Sequence, residues 1–193
     1  QAQNPLFAVL MPNIPQSPNE LSSVVGTASV ADTAKVNEFL ARAEVRNLLP
    51  AEMKYAKFLW DAKPIENTEA INLYAIRSNR DDIAPIQGDV IIDAAQVFDQ
   101  LGANPEVTMA MNSKGTKDWA KMTTDNVGKF VAVVLDDYVY SAPRVNDAIT
   151  QGRTSITGQF SIEEAQDLAN ALKSGKLPAA ARIIQSDVVG PSL

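Results

Sequence analysis

Two pairs of adjacent carboxylates, Asp81-Asp82 and Asp136-Asp137, are the first candidates for chemistry in this sequence. A carboxylic acid facing a carboxylate can divide general acid and general base work between them. Neighbouring side chains on a strand point to opposite faces, however, so neither pair is preset to meet one substrate. Asp is a common turn residue, and both pairs read as solvated turn carboxylates. The chain has 0 His and 0 Cys. That excludes a Cys/His zinc site, a thiolate nucleophile and a His-based triad. No phosphate-cradling Gly loop, dinucleotide fingerprint, nucleophile elbow or calcium loop is present. No catalytic, cofactor-binding or metal-ligating residue is therefore expected, and the protein reads as a non-enzyme. Trp60 and Trp119 read as packing residues rather than as a binding platform.

The bulk composition agrees. Over 193 residues the chain is 46% hydrophobic and 21% charged, which suits a folded protein with a real core. Its 17 basic residues are scattered among 23 acidic ones, so no electrostatic footprint for nucleic acid exists. No apolar run reaches the roughly 18 residues a membrane span needs. The first residue is Gln, with no basic region ahead of an apolar one.

The elements that must position any site read as follows. The run Leu6 to Met11 suits a short strand, and Pro12, Pro15 and Pro18 stop it. Residues 31–48 carry Val36, Phe39, Leu40 and Ala43 at helical spacing after Asp32, and Pro50 ends the helix. YAKFLW (55–60) and INLYAIR (71–77) read as neighbouring strands. VIIDAAQVFDQL suggests a strand running into a short helix, and PEVTMAMN alternates as a half-buried strand. GTKDWAKMTTDNVGK reads as a helix broken at Gly128. FVAVVLDD (130–137) is a near-continuous apolar run, hence an expected central strand, turning at Asp136-Asp137 into YVYSAP. ITGQ reads as a short strand. SIEEAQDLANALKSG is the clearest element, with Ser161 and Glu164 as a capping box and Gly175 past its end. Helices and strands mix without βαβ alternation, which predicts α+β with a mainly antiparallel sheet.

The second half carries a family pattern. An aromatic residue, Trp119, precedes Thr123, and an Asn126-Val-Gly128-Lys129 turn follows. Then come a strand ending in Leu135-Asp136, the segment Ser141-Ala142-Pro143 and the strand Ile156-Thr157-Gly158. Glu164-Ala165, Leu168-Ala169, Gly175, Leu177-Pro178 and the terminal Val-Gly190-Pro191-Ser-Leu193 complete it. Over residues 86–193 the chain resembles the first periplasmic domain of SecD, or of fused SecDF, the RND-like accessory subunit of the Sec protein-export machinery. Asp137 stands where the family usually has Gly, and Ala180 where a second Pro is common. Residues 12–85 do not align and read as a lineage-specific elaboration.

The resemblance implies a head subdomain over residues 1–155 and the C-terminal part of a ferredoxin-like base over 156–193, with an apolar membrane helix of about 20 residues after Leu193. It implies a place at the periplasmic face of the bacterial cytoplasmic membrane. It also implies work on unfolded preproteins beside the Sec channel and SecF, driven by proton motive force through membrane helices outside this chain. No cofactor is implied. Asn126, Gly128, Asp136, Pro143, Gly175, Pro178, Gly190 and Pro191 read as fold-specifying, since Gly and Pro sit at element boundaries. Thr157 and Gly158 are the expected hinge between head and base. A related exporter domain binding a small or lipidic ligand is the alternative, expected to show a deep apolar pocket rather than a groove or sheet edge. A hydrolase would show two carboxyls facing across a cleft.

Overall fold

A computed structural model of the chain describes residues 5–16, 22–158 and 160–174. In chain order it forms β1 (Leu10–Pro12), β2 (Val24–Ser29), α1 (Thr33–Ala41), α2 (Ala43–Asn47), β3 (Lys57–Asp61) and β4 (Ala70–Ile76). There follow β5 (Ile91–Phe98), β6 (Pro105–Met111), α3 (Ser113–Asp125), β7 (Val133–Leu135), β8 (Tyr138–Ser141), β9 (Arg153–Ile156) and α4 (Ile162–Ser174). Six strands pair in the order β1-β2-β4-β3-β8-β7 and three in the order β5-β6-β9. Among the described strands only the β3–β8 pair is parallel. The class is α+β with mainly antiparallel sheets, as the pattern of elements predicts.

On the larger sheet, Leu10, Ala28, Ile71, Leu73 and Trp60 bury one face under Val36 and Leu40 of α1. The Trp60 indole Nε1 donates to Asn37 Oδ1 at 2.9 Å, so its polar tip is satisfied inside this packing. The helix expected over 31–48 breaks at Arg42, whose backbone is extended at φ -62° and ψ 139°. After the break, Val45 reaches the same core and Arg46 hydrogen-bonds the Ala56 carbonyl.

The smaller sheet follows period-2 burial: Val107, Met109 and Met111 of β6 point inward. They meet Ala165, Leu168, Ala169 and Leu172, the apolar stripe of α4. The capping box forms: Ser161 Oγ accepts from Glu164 N at 3.2 Å, and Ser161 N donates to Glu164 Oε2 at 2.9 Å. The helix expected after Ile91 is absent, because β5 stays extended to Phe98 in register with Pro105. Asp99 then closes the hairpin by accepting from Ala103 N at 2.8 Å and Asn104 Nδ2 at 2.7 Å. Those bonds hold its carboxyl below the ordinary range.

Two strand expectations are corrected. The apolar run 130–137 yields only the three-residue β7, and β7 is the last strand of its sheet rather than a central one. The run is apolar because it lies between two cores. Val133 and Leu135 pack on the smaller sheet's cluster, while Ala132 and Val134 pack with Leu59, Tyr74 and Val139. ITGQ contributes only Ile156 to β9, with Thr157 and Gly158 beyond the strand.

The residues on either side of the junction expected at 156–159 share a core. Ile156 on one side of it and Ala165, Leu168, Ala169 and Leu172 on the other belong to one cluster. The chain leaves the larger sheet after β4, builds β5, β6 and α3, returns for β7 and β8, then goes back for β9 and α4. Gly175, Pro178, Gly190 and Pro191 lie outside the described residues.

Candidate functional site

Helix α3 sets the site. Asn112 caps it, its Oδ1 accepting from Gly115 N at 2.8 Å. Gly115 lets the helix press onto the smaller sheet, since a Cβ there would lie 2.7 Å from Val90 Cβ. The helix then brings Trp119 and Thr123 to its inner face. Thr123 is wholly buried. Its Oγ1 donates to Trp119 O at 2.8 Å and accepts from Ile149 N at 2.9 Å, which clips the loop before β9 to the helix.

The family-motif residues converge on the end of this helix. Asn126 Nδ2 donates to Met122 O at 2.8 Å and closes the last turn. Gly128 follows at φ +79°, a left-handed conformation that a side chain strains. Its N–H donates to Val145 O at 2.8 Å, and its carbonyl accepts from Arg144 Nε at 3.0 Å. Val131 N then donates to Pro143 O at 3.1 Å, so the Asn126–Lys129 turn and the Pro143–Val145 segment lie side by side.

Between these parts runs a groove of ≈ 300 Å³. Trp119 and Thr123 contribute from α3, and Val131, Val133 and Pro143 from the side of β7. The opposite wall is Thr154, Ser155, Ile156 and Thr157. β7 ends one sheet and β9 ends the other, so two sheet edges border the same groove. The Trp119 Nε1 is sealed from solvent with no hydrogen-bond partner among the described residues. Such a buried donor costs roughly 1–3 kcal/mol. Trp119 was expected as a packing residue; it packs on the smaller sheet's core and lines the groove as well.

A second cleft, of ≈ 210 Å³, lies between the end of β3 and α4 and includes Asp61, Lys63, Tyr140, Phe160, Glu164 and Asp167. Burial raises the Asp61 carboxyl above its ordinary value, opposed by hydrogen bonds from Asn72 (Nδ2 at 2.9 Å) and Tyr74. Burial likewise raises the Tyr74 phenol, with the Asp61 charge adding to it. The carboxylates here are each engaged: Asp61 with Asn72, Glu164 with the Ser161 amide, Asp167 with Lys63 at 3.9 Å. They brace the cleft. No group of three or more Asp, Glu, His or Cys side chains suited to a metal occurs among the described residues.

Gly158 lies against Phe160, a residue of this second cleft, and lines neither space itself. It is not among the positive-φ glycines; its demand is space, because a Cβ would lie 2.9 Å from the Phe160 ring. Asp136 and Asp137 take φ 49° and 64° at the β7–β8 turn, so two L-residues adopt the conformation that a Gly usually supplies. Nothing in the spacing of the two Asp pairs indicates a shared partner. Lys57 Nζ lies 3.0 Å from Asp82 and 2.8 Å from Asp137, joining the two turns. Donating to both carboxylates, Asp137 first, raises Lys57, and the bond it accepts from Lys57 lowers Asp82.

Fold and groove define an interlaced α+β module in which two sheet edges wall an apolar trough. The chain belongs to the SecDF family: residues 72–179 match the family described as SecDF, P1 head subdomain. That match runs through α4, in keeping with the packing of this helix on the smaller sheet. The chain is 45% identical over 192 residues to the protein translocase subunit SecD of Rhodothermus marinus, covering 99% of this chain and 29% of that one. It is 35% identical over 173 residues to the SecD subunit of Desulfurispirillum indicum, covering 88% and 32% respectively. A solved structure, titled as a membrane component SecDF that enhances protein export, matches at 40% identity and TM-score 0.43 over 52% of this chain and 46% of that one. The chain thus spans about a third of the length of these SecD relatives. No described helix is long and apolar enough to cross a membrane.

Proposed function

We propose that this chain is the periplasmic P1 region of a Sec protein-export subunit, and that its groove receives unfolded preprotein emerging from the Sec channel. SecF, separate or fused, and membrane helices outside this chain complete the machine and couple it to proton motive force. The chain performs no catalysis and needs no cofactor. The observation that carries this reading is the groove between the edges of β7 and β9 with Trp119 at its side. An open trough of ≈ 300 Å³ sits at the lower limit of ligand pockets, which favours a polypeptide segment over an enclosed small or lipidic ligand. A photo-crosslinking residue at Val133 in the membrane-embedded protein is expected to capture a translocation-arrested preprotein. Capture only from positions on the α1 face would remove the reading.

Thr157 and Gly158 are the proposed hinge of this handling, and the packing sets its cost. A swing there draws α4 off the smaller sheet, exposing Leu168 and Leu172 at roughly 1.5–3 kcal/mol each. One charge crossing about 200 mV supplies roughly 4.6 kcal/mol, so one or two protons match the demand. Gly158→Pro in the full-length protein is expected to leave the chain folded, although its Cβ must displace the Phe160 ring, and to impair proton-dependent export. Loss of folding together with export would reduce Gly158 to a turn residue beside Phe160, and normal export would end the hinge reading.

A further inference from the structure

We propose that the groove holds its occupant by strand addition: an extended, proline-free polypeptide segment hydrogen-bonds to the open edge of β9 as a fourth strand of the smaller sheet. This rests on the preceding reading of the groove as a polypeptide site and specifies how it binds.

The register supplies the first argument. β9 pairs with β6 so that Met109 faces Thr154 and Val107 faces Ile156. Met111 N donates to Gly152 O at 2.8 Å, which continues the same pairing by one residue. Hydrogen-bonded and non-bonded pairs alternate along an antiparallel ladder. Gly152, Thr154 and Ile156 therefore direct their amides toward β6, while Arg153 and Ser155 direct theirs away from it. Among the described residues β9 is the last strand of its sheet, so those outward groups point toward the groove. Backbone polar groups in such a place call for partners.

The lining supplies the second. Thr154, Ser155, Ile156 and Thr157 all border the groove, although successive side chains of a strand project to opposite faces. Four consecutive residues border one space where the strand is met edge-on. Natural edges are commonly closed with Pro, Lys or a bulge, and the β9 sequence Arg-Thr-Ser-Ile has none of these at its centre.

The two faces of β9 then define the occupant. Ile156 and Trp119 lie toward the core side, whereas Ser155 and Arg153 are exposed on the other. A segment with apolar residues at alternate positions matches that division, and main-chain bonding makes the rest of its sequence free to vary.

The test uses the whole 193-residue chain. A fluorescein-labelled Thr-Val-Thr-Val-Thr-Val peptide is titrated against it, beside two analogues N-methylated at alternate amides along one edge or the other. The expected result is saturable binding of the parent peptide, with slowed amide exchange at Arg153 and Ser155. At least one analogue is expected to bind tenfold or more weakly. Equal binding by all three overturns strand addition and leaves the groove a polypeptide site. Absence of binding by all three overturns both.

Discussion

Leu168→Ala is expected to destabilise the folded chain by about 2–5 kcal/mol, the range for removing a large aliphatic side chain from a core that relaxes only in part. Leu168 is 1% exposed and lies among Val107, Met109 and Ile156 as well as its own helix neighbours. For a chain of this size each kcal/mol moves the midpoint by roughly 2–4 °C, so the melt should fall by roughly 4–20 °C. Gln166→Ala, on the exposed side of the same helix, should stay within about 0.5 kcal/mol and serves as the control. The experiment bears on architecture. If α4 belonged to a unit independent of the smaller sheet, Leu168→Ala would leave exchange protection of Val107 and Met109 intact. Packing through one core predicts that protection at β6 falls together with the midpoint.

Thr123→Val should destabilise by about 1–3 kcal/mol although the two side chains have nearly one shape. The methyl groups keep the packing, but Ile149 N loses the oxygen it reaches at 2.9 Å. The helix itself loses little, since Trp119 O keeps its place in the backbone ladder. A specific readout separates this from general loosening: the Ile149 amide should exchange much faster, while amides of α1 on the other sheet change only with the global midpoint. A variant as stable as the parent, with Ile149 still protected, would show that another acceptor takes over. Because the 145–152 loop leads directly into β9, the same variant should also weaken peptide binding at the groove.

Some of this was legible in the chain. The capping box at Ser161 and Glu164, the alternation of Val107, Met109 and Met111, and the helical stripe of α4 are local patterns. Local hydrogen bonds and side-chain periodicity realise them with little help. The absence of His and Cys removed whole chemistries before any fold was known. Gly128 takes a positive φ at the turn after α3.

Other features belong to the tertiary structure alone. The apolar run says that residues 130–135 face protein, but not that their two sides serve two different cores; that follows from β7 standing between the sheets. The sequence places Asp82 and Asp137 in separate turns, and only the parallel pairing of β3 with β8 brings Lys57 within reach of both. The residues of the groove are scattered from Trp119 to Thr157, so no spacing rule connects them. What the sequence by itself determined was α4 with its capping box, the alternating strand β6 and the absence of His and Cys chemistry, because these depend on composition or on neighbours within a few residues. Which strand lies at an edge, which helix covers which sheet and where two edges meet depend on long-range pairing, where the free energy comes from burying faces that are distant in the chain.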